Sequence, residues 1–494
     1  MTPSSSLSSL SVLFLWGAAF HSAVFAQSPA TQAAPLAKNA VTSDWPRLLG
    51  PSHNLHSPET PLLQPLPPEG PKLLWQRPTG EGYGSVAAAG GRALVFFAKD
   101  GQEVLECLDA ESGKLLWTQS YPIEYRDRYG FASGPRTSPA IAEGVVVTLG
   151  VTSQLQACAI HDGKLLWRLD LRRDHQVPQD FFGAGSTPLL HEGKVIVQVG
   201  GKEVLLDGEE DRRRRAQVLA SKGTSVAAFD LKTGTLRWKL VDAWGAGYAS
   251  PVLASLHGKP KILIYAGGES DPASGGLLCI DPTSGQLHSR HAWRDPEYIQ
   301  AIGSSPVVVG NRVFISTAYP KNKPIGGLML EFDAEFKATE VWSSKTLGCH
   351  WMTPLAIGNH LYAIDGEREN QARLVCVRAE DGKEIWSERL RWQDASLGQR
   401  MGRAGPVELS IFRANLIKLP QGVLCLGEIG SLHWLNLQPE GMKELSRSQL
   451  FYATNTWCVP AVHRGLLLVQ QHERSLIGGE AQRVLCYDLR GRAD

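Results

Sequence analysis

Residues 104–117 read Val-Leu-Glu-Cys-Leu-Asp-Ala-Glu-Ser-Gly-Lys-Leu-Leu-Trp, and the chain repeats this pattern along most of its length. An alternating apolar strand reaches Asp109, a polar turn closes on Gly113, and a second strand carries Trp117. The aspartate can accept hydrogen bonds from N–H groups of its own turn. The glycine takes the positive φ that such a turn needs, and the tryptophan offers a large flat packing surface. The unit returns at residues 159–167, 229–238 and 377–386, ending in Trp167, Trp238 and Trp386. Weaker copies fill the gaps. Asp281 and Gly285 lead to Ser289 in place of a tryptophan, Asp333 leads to Trp342 without a turn glycine, and Asn436 leads through Gly441 to Leu445.

Two half units remain. Residues 70–75, ending in Trp75, supply a second strand with no first, and residues 485–489 supply a first strand with no second. Counted as one, they bring the total to about eight units at an average period of about 50 residues, in the range of solenoids and propellers. A chain with complementary halves at its two ends closes into a ring in which both ends share one blade. The expected fold is therefore all-β, an eight-bladed propeller of four-stranded antiparallel blades. Trp75, Trp117, Trp167, Trp238, Trp342 and Trp386 are then packing between like wedges.

One ring accounts for most of the 494 residues, and the 50 Gly and 30 Pro suit many short strands joined by turns. A net charge of +1 makes no electrostatic case for nucleic acid or an anionic membrane. Leu10 to Phe20 is an apolar run too short to span a bilayer comfortably, and Val24-Phe25-Ala26 follows as a small-residue cleavage pattern. Residues 1–26 are thus expected to be an export signal, leaving no membrane span. An uncleaved anchor is the alternative, since residues 1–9 hold no Lys or Arg. Residues 27–43 read as a flexible linker, 44–69 as a segment packed on the ring through Trp45, and 70–492 as the propeller. Of the eight cysteines, Cys107, Cys279, Cys376 and Cys486 recur at one repeat position, with Cys158 close to it, too far apart on separate blades to bridge. Any disulfide is expected between Cys349 and Cys458.

A second marker precedes what should be each innermost strand, a Ser/Thr-Pro step: Ser138-Pro139, Thr187-Pro188, Ser250-Pro251, Ser305-Pro306 and Thr353-Pro354, with Ser85-Val86 and Val459-Pro460 as variants. Proline suits a first strand residue, where no ladder N–H is lost. Residues just before it should approach a central funnel: Tyr83, Arg136, Ser186, Tyr248, Ser304, His350 with Trp351, and Asn455 with Trp457. The insertion 201–224, with its adjacent acidic and basic runs, reads as a solvated loop. Residues 392–413 replace the Ser-Pro entry of blade seven with a polar excursion.

The hairpin resembles the tryptophan-docking repeat of the quinoprotein alcohol dehydrogenase-like propellers. Asp44-Trp45-Pro46, Gly50-Pro51, residues 57–60, residues 80–83 and residues 134–139 resemble exported bacterial PQQ-binding-like β-propeller repeat proteins related to the outer-membrane assembly factor BamB. Leu49 and Leu55 stand where that opening segment usually has Arg and Gly. The resemblance implies either a non-catalytic binding scaffold of the periplasm or cell exterior, or a dehydrogenase holding pyrroloquinoline quinone (PQQ) with calcium.

The enzyme needs a carboxylate base, oxygen ligands for a hard cation and a flat partner for the quinone. Asp295 and Glu297 are the candidate bases, Arg136 a partner for cofactor carboxylates, and Trp351 or Trp457 a stacking surface. Against this, no two cysteines are adjacent, no Cys-x-x-Cys-His haem motif occurs, and no spaced acidic cluster suggests a calcium cage. The histidines show no zinc-like spacing, and no Gly-x-Ser-x-Gly elbow marks a serine nucleophile. The expectation is a scaffold with no cofactor, no metal and no catalytic residue, which binds an envelope protein or other extracytoplasmic ligand through Tyr83, Arg136, Tyr248, His350, Trp351, Asn455 and Trp457. A PQQ- and calcium-dependent alcohol or sugar dehydrogenase and a carbohydrate-binding propeller are the alternatives.

Overall fold

The computed structural model describes residues 32–178, 182–201, 223–267, 274–295, 301–318, 325–366 and 372–491. The expected export signal, Glu297 and nearly all of the 201–224 insertion lie outside them. Eight four-stranded antiparallel sheets follow one another in chain order. Seven are continuous in sequence: residues 87–122, 140–170, 189–242, 252–292, 307–344, 355–388 and 414–449. The eighth takes three strands from 461–488 and its fourth, Lys72–Pro78, from the start of the ring. Lys72 faces Asp488 and Trp75 faces Cys486, so the two ends close the circle by a strand ladder.

Each blade carries the same bulge. Register slips by one residue between the third and fourth strands, at Cys107/Leu108, Ala157/Cys158, Ala228/Phe229, Cys279/Ile280, Met329/Leu330, Cys376/Val377 and Trp434/Leu435, and at Leu73/Trp75 in the closing blade. A bulge bends a strand and tightens its twist, so it can re-aim the side chain that follows. Here that side chain is the tryptophan, which reaches the next blade. Trp75 Nε1 donates to Ala110 O, Trp117 to Ile160 O, Trp167 to Leu231 O, Trp238 to Pro282 O, Trp342 to Ala379 O and Trp386 to Gln438 O. The turn glycine lies under the same ring. Gly113 has φ +68, and a Cβ there would sit 2.5 Å from Trp75. Glycine is thus required twice over at this point, for the turn and for the neighbour's indole. In blade four, where the tryptophan is missing, a smaller link takes its place: Ser289 Oγ accepts from Ala338 N at 3.2 Å.

All eight thiols are free and buried. That includes Cys349 and Cys458, the pair expected to form any bridge; Cys458 Sγ donates instead to Gln470 O.

The N-terminal segment crosses the ring on the side of the Asp–Gly hairpins. Trp45 pairs with Ala88 on the innermost strand of blade one, and Pro46 O accepts from Ile141 N on blade two. On the far side His56 Nε2 bonds Ala356 O of blade six, and Ser57 N donates to Lys418 O of blade seven. Trp45, Leu49 and Leu55 are buried beneath the channel. Buried Glu59 fastens the segment by accepting from Ser43 N, Arg464 N and Gly465 N. Within the stretch expected to be a free linker, Ala34 N donates to Asp488 Oδ2, Arg490 Nη1 donates to Ala34 O, and Val41 bridges to Thr60. This part of the stretch is held against the closing blade.

The excursion before blade seven is a small structure of its own. Strands Arg391–Asp394 and Val407–Ser410 pair around helix Ala395–Arg400, whose N-cap Asp394 accepts from Leu397 N. Leu397 and Leu409 pack with Tyr452 on the connector that leads into blade eight.

Candidate functional site

The site follows from the register of the Ser/Thr-Pro step. Counting back from the proline, the first residue is the hydroxyl and the third is the wall of the axial channel, because residues two apart on an extended chain share a face. The hydroxyls form a belt. Val459 N donates to Ser85 Oγ, Ser85 N to Ser138 Oγ, Ser138 N to Thr187 Oγ1, Thr187 N to Ser250 Oγ, Ser250 N to Ser305 Oγ, and Ser305 N to Thr353 Oγ1. Blade seven breaks the rule with Asn415, whose amide donates to Trp457 O and Cys458 O.

The residues third from the proline position are Tyr83, Arg136, Gly185, Tyr248, Gly303, Trp351 and Trp457, and all of them line one axial cup. The two glycines are clearances for neighbouring rings. A Cβ at Gly185 would stand 2.6 Å from Tyr248, and one at Gly303 would stand 2.3 Å from Trp351. Leu48 and Leu49 from the crossing segment line the cup as well, and the connectors that lead from one blade to the next add Phe131 and Phe182. The space enclosed, mouth included, is about 890 Å³. The aromatic rings touch in series. Tyr83 stacks on Trp457 at 4.6 Å, Trp457 meets Phe131 and Trp351 at 5.9 Å each, and Phe182 meets Phe131, Tyr248 and Trp351 at 5.8, 5.6 and 6.4 Å.

Five of the seven residues named from sequence therefore share the cup. His350 and Asn455 do not line it. His350 is buried behind Trp351, ring against ring at 4.0 Å, and Asn455 is a left-handed residue (φ 51) in the loop below Trp457. Ser186 and Ser304 are one residue out of phase, so they turn into the wall while Gly185 and Gly303 face the cup; Ser186 Oγ donates to Ala249 O. Leu48, Phe131 and Phe182 were missed because they lie outside the repeat. The glycines were legible by counting three residues back from the proline, whereas blade seven has no such proline and gave no register for Asn415.

Charges near the cup are tied in pairs. Among the described residues Arg136 is the only charged one in the lining, and it donates to Asp127 Oδ2 at 2.7 Å and to the carbonyls of Ala132 and Gly134. Its guanidinium lies 5.5 Å from the Tyr83 ring centre. Behind Trp457, buried Glu428 accepts from Arg413 at 2.5 and 2.8 Å and from Trp457 Nε1 at 2.9 Å. His472 sets the same tryptophan from below. Its Nε2 donates to Gly84 O, its Nδ1 accepts from Trp457 N, and burial pushes its pKa down to about 4, so the neutral ring is the working form. Burial also raises the Glu473 carboxyl, which accepts from Tyr83 Oη.

PQQ with calcium would need oxygen ligands for a hard cation, a base, and cations for the cofactor's carboxylates. The cup does not fit this. Among the described residues its lining holds no carboxylate and its one cation is paired with Asp127, while of the acids behind the wall Glu428 is bound to Arg413 and Glu473 to Tyr83. No group of three or more His, Cys, Asp or Glu among the described residues could hold a metal ion. Asp295, a candidate base, is buried and does not line the cup.

One other constellation has the connectivity of a catalytic triad. In blade seven Ser431 Oγ bonds His433 Nε2 at 2.9 Å, and His433 Nδ1 bonds Glu444 Oε1 at 2.7 Å. Ser431 and His433 are only 1% and 0% exposed, which seals the hydroxyl from any substrate.

Comparison with known proteins agrees with the architecture. A curated relative, the quinohemoprotein alcohol dehydrogenase ADH-IIG of Pseudomonas putida, is 28% identical over 138 residues. The match takes in 28% of this chain and only 16% of that enzyme's length. Among solved structures, BamB from Moraxella catarrhalis superposes with a TM-score of 0.51 at 14% identity, over 86% of this chain and 99% of that one. Quinohemoprotein alcohol dehydrogenase from Comamonas testosteroni gives 0.58 at 13% identity, over 92% of this chain and 82% of that one. At these identities the two structures speak for the fold. The family model described as outer membrane protein assembly factor BamB matches residues 66–214 and 209–388, well over half of the chain, and the protein belongs to that family of PQQ-like repeat propellers.

Proposed function

We propose that this protein is an exported, non-catalytic binding propeller of the bacterial cell envelope, which takes a segment of a partner protein into its axial cup. One observation carries the reading. Among the described residues the cup is built almost wholly of aromatic rings, glycines, hydroxyls and leucine, with its single charge already paired. Such a surface recognises an apolar or flat group by burial and stacking, and supplies no base and no cation site. The family described by the name of an outer membrane assembly factor supports a role outside the cytoplasm and a protein ligand.

Two measurements test it. A photo-crosslinking amino acid at Phe131, which is 38% exposed at the mouth, should capture one partner in the native cell. Trp457→Ala should abolish that adduct. Titration of the purified protein with PQQ and calcium should give no saturable change in quinone absorbance and no dye-linked alcohol oxidation. Saturable quinone binding with turnover would replace this reading with a dehydrogenase. The hydroxyl belt beneath the aromatic walls also favours a second reading, a neutral saccharide stacked on Tyr83, Tyr248, Trp351 or Trp457. Specific retention on a glycan array with no crosslinked protein would establish it.

A further inference from the structure

The mouth of the cup is flanked by two arms that the repeat does not require. The first is the connector 123–137, which leaves Arg126, Arg128, Tyr129 and Phe131 exposed, with Phe131 against Trp457. The second is the excursion 389–413, where Arg389, Arg400, Met401 and Arg403 are exposed. It rests on Tyr452, five residues before Trp457, and the Arg400 guanidinium lies 5.8 Å from the Tyr452 ring centre. Both arms therefore adjoin the same cup tryptophan, the first through Phe131 and the second through Arg413, whose guanidinium lies 5.2 Å from the Trp457 ring centre.

Their charge is unbalanced. Between residues 389 and 413 five arginines stand against Asp394 and Glu408, an excess of +3 in a chain whose net charge is +1. Two of the five are committed, Arg391 to Glu408 and Arg413 to Glu428. On the first arm Asp127 is taken by Arg136, and Glu124 is the exposed acid. Among the described residues the other carboxylates near the mouth are engaged: Asp394 caps its helix and accepts from Tyr452 Oη, Glu81 accepts from Ser133 N, and Glu473 accepts from Tyr83 Oη. Arg126, Arg128, Arg389, Arg400 and Arg403 form no ion pair among the described residues. Guanidinium groups presented in this way pair best with carboxylates, often two hydrogen bonds at a time.

We propose that the cup takes a short acidic peptide segment of the partner protein, whose aromatic or apolar residue enters between Trp457 and Phe131 while flanking carboxylates meet Arg126 and Arg128 on one side and Arg400 and Arg403 on the other. This rests on the binding-propeller reading and adds the chemistry of the partner. Neutral walls with a basic rim discriminate by charge at the edge and by shape within, the usual division between an interface rim and its core.

The test uses the full chain and acetyl-Glu-Glu-Gly-Phe-Gly-Glu-Glu-amide, followed by tryptophan fluorescence and calorimetry. The glutamate peptide should bind about tenfold more tightly than its lysine counterpart at about 50 mM salt, and the advantage should shrink at about 500 mM as screening shortens the reach of the rim. Replacing its phenylalanine by glycine should weaken it by about tenfold. The exposed pairs R126E/R128E and R400E/R403E should each lower affinity severalfold without changing the circular dichroism or the melting point. Equal or better binding of the lysine peptide, or no effect of either charge reversal, overturns the proposal. So does tighter binding of oligogalacturonate, which would assign the rim to an acidic glycan, or of phosphatidylglycerol vesicles, which would assign it to a membrane surface. If the glutamate peptide fails while Phe131 still captures a partner in a Trp457-dependent way, the acidic segment is wrong and the binding propeller stands. If both fail, both readings fall.

Discussion

The two faces of the ring are built on opposite plans. On the hairpin face six of the eight blades repeat one device, a turn that receives the tryptophan of the blade before it, and the crossing segment 44–57 seals the channel. Among the described residues the connector face varies from blade to blade: one has an aromatic and basic loop, one a helix-bearing excursion, and one a tryptophan held by Glu428 and His472. Regularity is what closes a circle, because eight like wedges must meet at like angles. Variation costs little in long connectors, whose closure penalty grows slowly with length. Stability and recognition are thereby separated in space, and substitutions on the two faces should separate in the same way.

The largest effect is expected where the ring closes. Trp75→Ala removes a buried indole and its hydrogen bond to Ala110 O at the one ladder not joined through sequence. Large-to-small changes of this kind cost about 3 to 5 kcal/mol, and urea denaturation should show that loss. Trp457→Ala should cost well under half as much while abolishing capture at Phe131. Equal losses would erase the distinction between the faces.

A second prediction lies between blades one and two. Glu103 is fully buried, accepts from Tyr121 Oη at 2.5 Å and Val151 N at 2.7 Å, and has its pKa raised to about 7 by burial. The folded state then holds a proton that the unfolded chain releases above its ordinary value of 4.5. Its contribution is fully present below that value and is lost as pH rises to about 7. Buried neutral histidines such as His472 act in the opposite sense in part of this window, so the difference between wild type and Glu103→Gln is the quantity to follow. That difference should move by about 3 kcal/mol in favour of the variant from pH 4.5 to pH 7. A flat difference would mean that Glu103 stays ionised in its clamp.

Gly303→Ala comes next. Its Cβ would meet Trp351 at 2.3 Å, and the ring must move into the cup. Overpacking of this kind costs about 1 to 3 kcal/mol, and ligand affinity should fall with it. The same substitution at Gly310, where a Cβ meets nothing within 4 Å, controls for the general effect of replacing a glycine, though its positive φ of +61 adds backbone strain.

The hairpin face was readable because its device is local. Asp109, Gly113 and Trp117 lie within one turn and its flanking strand, and their recurrence identified the ring, its closure and the packing tryptophans. The cup was readable only as far as the proline step carried a register. Counting two residues back from the hydroxyls Thr187 and Ser305 reaches Gly185 and Gly303, whereas nearness to the proline suggested Ser186 and Ser304. His350 and Asn455 were placed in the funnel for the same reason, since polar neighbours of a cup tryptophan look equally eligible until the alternation of the chain turns them away. Leu48, Phe131 and Phe182 carry no repeat signal at all. They reach the cup through tertiary contacts of a crossing segment and two connectors, which no local pattern encodes.

The smallest expected effect probes the belt that joins the two plans. Ser305 Oγ accepts from Ser250 N, and Ser250 Oγ accepts from Thr187 N, both at 3.0 Å. Alanine at either site leaves one backbone N–H without its acceptor, at a cost of about 1 to 3 kcal/mol when the group is sealed from water. Ser305 lines the cup and Ser250 does not. Water entering the cup can replace the lost hydroxyl at 305, so Ser305→Ala should sit at or below about 1 kcal/mol, with Ser250→Ala clearly above it. Adding the phenylalanine peptide should widen the penalty at 305, because a seated apolar group expels the water that had taken the hydroxyl's place. The penalty at 250 should not change. If the two variants respond alike to the peptide, the occupant does not reach the belt, and the cup is filled only as deep as its aromatic rim.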